Sequence, residues 1–240
     1  MNRLKITPSV IPNLFTALNM FSGFLSIIYS SNGNFVYAGW LIIVAAIFDT
    51  LDGLMARLTK SSSELGVELD SLSDVVSFGA APSFLLYKTY FYNFETAGII
   101  LSSLPLIAGG FRLARFNVQL VGFDKKYFTG LPIPSAAILF STMVLSFYQN
   151  GFEKLFDYII IPLVITISYL MVSKVRYETI PKFSLENIKA KPAHFIFIFL
   201  SLILVIIFYV KGLFFSFVAM ILLGLLRHYY QKIFHKTVRG

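Results

Sequence analysis

The chain has 240 residues, 57% of them hydrophobic and 13% charged, with a mean hydropathy of +0.76 and no cysteine. So low a charge content, with repeated apolar runs near 20 residues, excludes a water-soluble globule and points to a polytopic helical membrane protein. The missing cysteines exclude disulfides, thiolate metal sites and cysteine nucleophiles. The net charge of +8 calls for no nucleic-acid partner, because no nucleic-acid-binding motif is present and a basic rim beside anionic lipid headgroups accounts for it.

In chain order, RLKITPSVIPNLFTALNM mixes basic residues, apolar residues and Pro8 and Pro12, which fits an interfacial segment turning into the first membrane helix. The first apolar run is too long for a signal-peptide core and no small-residue cleavage site follows it, so it is expected to remain as an anchor. Eight spans are expected, roughly at 11–31, 34–57, 67–92, 96–118, 131–149, 156–174, 193–211 and 213–230. Their short connections and the lack of a repeat predict one membrane domain over 1–240. Of the 20 Lys and Arg residues, 17 fall at the termini and in alternate loops, leaving Lys88, Lys154 and Lys211 on the other side. The positive-inside rule therefore places both termini and the basic loops in the cytoplasm.

Between the second and third spans lies DTLDGLMARLTKSSSELGVELDSLSD, which holds four of the six aspartates of the chain. The spacing is D-x2-D-G-x2-A-R-x8-G-x3-D-x3-D, carried by Asp49, Asp52, Gly53, Ala56, Arg57, Gly66, Asp70 and Asp74. An ionised carboxylate within a span costs roughly 2.5–3.5 kcal/mol, so four must be compensated. Helical periodicity puts Asp49 and Asp52 on one face and Asp70 and Asp74 on another. Ser61 and Glu64 read as an S-x-x-E capping box for the third span. The midpoints of the pairs 52/70 and 49/74 both fall near Ser61, so folding the hairpin there brings the four carboxylates to similar depth. Four carboxylates suit two divalent cations, Mg²⁺ or Mn²⁺ with Ca²⁺ as a substitute, and argue against zinc, copper or haem. Gly53, Ala56 and Gly66 leave room for a diphosphate, and Arg57 is placed to pair with a phosphate oxygen. Asn13 and Thr16 lie one turn apart at the cytoplasmic entry of the first span. Membrane aspartates also serve as ion-transport ligands or proton relays, so a divalent-cation transporter is the competing class.

At all eight specified positions this pattern resembles the signature of the CDP-alcohol phosphotransferases. IPNLFTALNMFSGFLSI at 11–27, GFRLARFN at 110–117 and FTGLPIPSAA at 128–137 are similar to the bacterial and archaeal phosphatidylserine synthase branch. The last hundred residues carry no comparable motif. The resemblance implies an all-α polytopic bundle with a six-helix catalytic core over 11–174 and an added pair at 193–230. It also implies the cytoplasmic membrane of a prokaryote and transfer of a phosphatidyl group from CDP-diacylglycerol to L-serine with release of CMP. Asp49, Asp52 and Asp70 match the metal-binding aspartates, and Asp74 matches the last one, proposed as general base and metal ligand. Gly53, Ala56, Arg57 and Gly66 match positions lining the CDP moiety, and Asn13 and Thr16 resemble a nucleotide-proximal pair.

The aspartate motif does not choose the alcohol, which leaves glycerol 3-phosphate and inositol phosphate as alternative acceptors. Arg112 and Arg115, one turn apart in the fourth span, can face one cavity and hold a serine carboxylate bidentately. The alternative is that both bind phosphate or mark the cytoplasmic rim. Asn117 projects from another face. GLPIPSAA reads as a breaker before a span or as a pocket wall, and Gly109–Gly110 as a site of close helix packing. His194, His228 and His235 read as interfacial. The polar loop at 175–192 is expected to make an interfacial or homodimer contact.

Overall fold

A computed structural model describes residues 9–61, 63–119, 127–178 and 192–237. The start of the N-terminal segment (1–8), Lys125, Lys126 and most of the polar loop lie outside them. Helices α1 (Val10–Ser31) and α2 (Phe35–Thr59) form an antiparallel pair joined by the short turn Asn32–Asn34, in which Gly33 takes a left-handed φ of 79°. Lys60, at φ 51°, stops α2 in the left-handed conformation that caps helix C-termini. Next come α3 (Glu64–Asp74), a π-helical turn at Val75–Ala80 and α4 (Ala81–Thr89), which run on as one rod. A single 3₁₀ turn leads into α5 (Glu95–Gln119), followed by α6 (Ile133–Phe147), α7 (Lys154–Val172) and α8 (Pro192–Thr237). The last is broken at Tyr209, whose φ of 52° and ψ of −124° are not helical, so it holds both stretches expected at 193–211 and 213–230.

Helices thus cover all eight predicted stretches. Among the described residues, however, four helices rather than eight are long and apolar enough to cross a membrane: Val10–Ser31, Phe91–Val118, Lys154–Val172 and Pro192–Tyr230. The shortfall has a physical cause. α2 carries Asp49, Asp52 and Arg57, α3 carries Glu64, Glu68, Asp70 and Asp74, and α6 is only 15 residues long. The molecule is an integral membrane helical bundle, and the aspartate motif lies on α2 and α3.

The cap of α3 differs from expectation. Ser63, not Ser61, accepts the Gly66 N–H at 3.1 Å, while Ser61 shares a 2.6 Å hydrogen bond with Thr59. The left-handed Lys60 draws Ser61 into the end of α2, where its N–H bonds to the Ala56 carbonyl, and the helix restarts two residues later.

Phe78, Leu85, Leu86, Phe91, Ile133, Phe140 and Met143 form the fully buried centre. Gly109 lets α5 approach α6, since a Cβ there would come 2.4 Å from Ile133, whereas Gly110 faces open space. A two-stranded antiparallel ribbon joins β1 (Tyr127–Thr129) to β2 (Arg176–Glu178), an addition to the helical expectation. Tyr177 of β2 is buried against Gly224 of α8, where a Cβ would lie 2.5 Å from its ring, and burial pushes its hydroxyl pKa up to about 12.

Candidate metal centre

The site stands where α2 and α3 both pack against α1. Carboxylate oxygens of Asp49, Asp70 and Asp74 all lie within 4.8 Å of one another, with Asp74 buried and the other two half-buried. Asp52 is buried too but stands outside that group, its carboxylate beside the Thr16 hydroxyl of α1 and close to Asp70. The expected cluster of four is therefore a group of three with a fourth carboxylate alongside. Asp52 lies three residues nearer the end of α2 and is turned toward α1.

These residues fit a hard divalent cation. The donors are all oxygen, and they converge in a space too small for like charges to coexist without a counter-ion. One oxygen each of Asp52 and Asp70 is buried and has no hydrogen-bond donor among the described residues. Leaving a buried acceptor unpaired costs about 1–3 kcal/mol, more when it is charged. A bound cation would supply what these oxygens lack.

The surroundings are built from α1 and the π turn. A Cβ on Gly23 would come 2.5 Å from the Ser77 Cα, so α1 and the π turn meet almost backbone to backbone. The Ser77 hydroxyl donates to the Asn19 carbonyl at 2.8 Å, and Ser73 donates to the Thr16 carbonyl at 3.1 Å. Asn19 Nδ2 in turn donates to Asp74 Oδ1 at 3.5 Å. Asn19 was not among the residues singled out by motif. Its signal was present in the three-residue steps Asn13, Thr16, Asn19, which place three polar side chains on one face of an apolar helix.

The other expected residues fall in distinct places. Gly53 faces open space beside the cluster, and Ala56 is half-buried one turn further on. Arg57 is exposed, with Nε donating to the Gly53 carbonyl at 2.9 Å. The side-chain oxygen of Asn13 would be 3.6 Å from a Cβ on Gly66, so α1 and α3 are close at that entry. Arg112 is buried and faces Asp74 electrostatically.

Arg115 departs from the expectation of a shared cavity with Arg112. Its terminal nitrogens donate to the carbonyls of Val172 (2.7 Å), Thr129 (3.0 Å), Met171 (3.4 Å) and Ser173 (3.4 Å). It thereby caps the C-terminus of α7, whose last carbonyls lack helical partners. GLPIP belongs to the same joint. Gly130 has φ +83°, a Cβ on it would strike the Met171 carbonyl, and its N–H bonds to the Val175 carbonyl at 2.8 Å. Asn117 donates to the Ser71 hydroxyl at 2.9 Å and ties α5 to α3.

A membrane-embedded helical bundle with a carboxylate cluster able to hold a divalent metal is the class that fold and site define. The family model described as CDP-alcohol phosphatidyltransferase matches residues 9–229. Over 199 residues the chain is 43% identical to a CDP-diacylglycerol–serine O-phosphatidyltransferase of Helicobacter pylori, covering 81% of each protein. It is 41% identical over 183 residues to an archaetidylserine synthase of Methanothermobacter thermautotrophicus, covering 75% of each. Identity to a CDP-diacylglycerol–serine O-phosphatidyltransferase of Bacillus subtilis is 33% over 186 residues, covering 75% of this chain and 96% of that protein. The chain belongs to the CDP-alcohol phosphatidyltransferase family.

Proposed function

We propose that this chain transfers the phosphatidyl group of CDP-diacylglycerol to the hydroxyl of L-serine, giving phosphatidylserine and CMP. The observation that carries this reading is the convergence of Asp49, Asp70 and Asp74 within 4.8 Å, at the spacing of the family signature, in a chain 43% identical to a serine-using relative.

Asp49, Asp52, Asp70 and Asp74 would hold two divalent ions, Mg²⁺ or Mn²⁺. Such ions polarise a diphosphate and stabilise the departing nucleotide phosphate. The side chains supply the rest. Gly53 leaves space for the nucleotide, Ala56 and Gly66 keep their faces low, and Asn13 and Thr16 flank the entry from α1. Arg57 stands at the cytoplasmic rim to pair with a phosphate oxygen. Asp74 accepts the proton of the serine hydroxyl as that oxygen attacks phosphorus and the bond to CMP breaks. The transfer is direct, without a covalent enzyme intermediate. Arg112, buried beside Asp74, is the guanidinium placed to hold the serine carboxylate, and Asn117 lines the same gap between α3 and α5. The distribution of 17 basic residues supports eight crossings of a prokaryotic cytoplasmic membrane, with the site and both termini on the cytoplasmic side.

The test gives purified protein CDP-diacylglycerol and Mn²⁺ with labelled serine, glycerol 3-phosphate or inositol phosphate, and follows CMP. Serine-dependent release with label entering the lipid is expected. Release that needs glycerol 3-phosphate and ignores serine would move the assignment to another alcohol, and no alcohol-dependent release with any divalent metal would favour cation transport.

A further inference from the structure

We infer that Asn19 is a positioning residue for Asp74, a role that rests on the phosphatidyl-transfer reading. Asn19 sits midway along α1 with no solvent exposure, among residues that pack against the π turn. Its amide nitrogen donates to Asp74 Oδ1, while its own Oδ1 has no hydrogen-bond partner among the described residues. An amide retained only for packing or cohesion would have both ends satisfied. This one is satisfied solely on the side that faces Asp74.

The contact matters because a carboxylate can rotate and present either oxygen. With Oδ1 held by the amide, the Asp74 carboxylate is fixed in one orientation toward Asp49 and Asp70 on one side and the acceptor hydroxyl on the other. The holder is itself fixed. Ser77 donates to the Asn19 carbonyl, Ser73 donates to the Thr16 carbonyl, and Gly23 admits the π turn at backbone contact. α1 cannot slide along Asp74 without breaking two hydrogen bonds across that seam. The π turn begins at Val75, directly after Asp74, and π turns recur beside functional residues. Asn19 thus sets the orientation of the base and leaves Asp49 and Asp70 untouched.

The test compares full-length wild type with Asn19→Leu, which has similar volume but no donor. CMP release with serine gives kcat and the KM for CDP-diacylglycerol. Electron paramagnetic resonance of Mn²⁺ titrated into the substrate-free protein gives metal affinity, and thermal unfolding in detergent gives the folded fraction. A kcat lower by about 10- to 100-fold is expected, with KM and Mn²⁺ affinity moving less than about threefold. A kcat within about twofold of wild type overturns the inference. So does a loss of Mn²⁺ affinity beyond about tenfold, which would make Asn19 a ligand, or a loss of activity that only follows the folded fraction. Should Asn19→Leu fail to fold, Asn19→Ala removes the donor without adding bulk or charge, and the same outcomes apply. A wild type that releases no CMP with serine defeats the functional reading. An active wild type with an indifferent Asn19→Leu defeats this inference alone.

Discussion

The two ends of the bundle are built on opposite terms. At one end, Asp49, Asp52, Asp70 and Asp74 crowd together, and buried oxygens of Asp52, Asp70 and Asn19 lack hydrogen-bond donors among the described residues. At the other, the turns before α2, after α4 and after α6 bring aromatic rings into one cluster. Phe35 meets Tyr148 edge-on at 5.1 Å, Tyr90 meets Phe91 at 5.2 Å, and Phe147 meets Phe156 at 4.8 Å. The Tyr90 hydroxyl donates to the Asp157 carbonyl at 3.2 Å, and the unpaired buried atoms at this end, among the described residues, are the neutral hydroxyls of Ser30 and Ser146 rather than carboxylates. α2 runs from Phe35 at the aromatic end to Asp49 and Asp52 at the acidic end, and the α3–α4 rod runs the opposite way. One pair of rods is therefore anchored by packing at one end and strained by charge at the other. The proposed site and the aromatic cluster thus lie at opposite ends of the same helices.

Substitutions at the two ends should then have opposite signatures. The largest effect on activity is expected from Asp49→Asn, which removes one charge from the close group of three. Serine-dependent CMP release should fall by about three orders of magnitude or more, and excess Mn²⁺ should rescue it poorly. Metal-free thermal stability in detergent should hold or rise, because one like charge has left a crowded site. Wild-type turnover would remove Asp49 from the metal set, and a clear fall in stability would break the contrast between the ends. Phe91→Ala is the counterpart at the aromatic end. Phe91 is fully buried, so its loss should destabilise the fold by about 3–5 kcal/mol. The kcat of the protein that remains folded should stay within a factor of about two. A specific loss of kcat in Phe91→Ala would show that the two ends are coupled.

The acidic end was the more legible of the two in the sequence, and the reason is periodicity. Steps of three and four residues on α2 and α3, with a short connection, put Asp49, Asp70 and Asp74 at similar depth, and the packing of both helices on α1 brings them together. What tertiary contact decided was not legible. Asp52 turns toward Thr16 because α1 lies there, and no local pattern reports that. The left-handed Lys60 moved the cap from Ser61 to Ser63, a backbone choice that a lysine does not advertise. The π turn after Asp74 carries no residue signature in VVSFGA and lies against Gly23 of a distant helix. The expected eighth span begins just beyond the break at Tyr209, but the break itself is not announced by proline or glycine at that position. The aromatic end was visible only as composition, 26 Phe and 13 Tyr, since the partners of Phe147 and Tyr90 come from distant segments.

The two arginines of α5 extend the same contrast to a single helical turn. Both sit on GFRLARFN, and by sequence both are equally placed to bind a carboxylate. The structure divides them, with Arg112 facing Asp74 and Arg115 spread over three backbone carbonyls at the end of α7 and that of Thr129 in β1. Lysine retains the charge but loses the planar fork, so the substitution tests geometry rather than charge. Arg112→Lys should raise the serine KM about tenfold, roughly 1.4 kcal/mol, while the CDP-diacylglycerol KM changes little. Arg115→Lys should leave both KM values nearly alone and cost about 1 kcal/mol of stability, because an ammonium cannot reach four carbonyls together. Kinetics with each substrate varied in turn, alongside thermal unfolding, separate the two. A serine-specific KM effect in Arg115→Lys, with stability unchanged, would return Arg115 to the acceptor site and leave the α7 joint held by Gly130 and the ribbon alone.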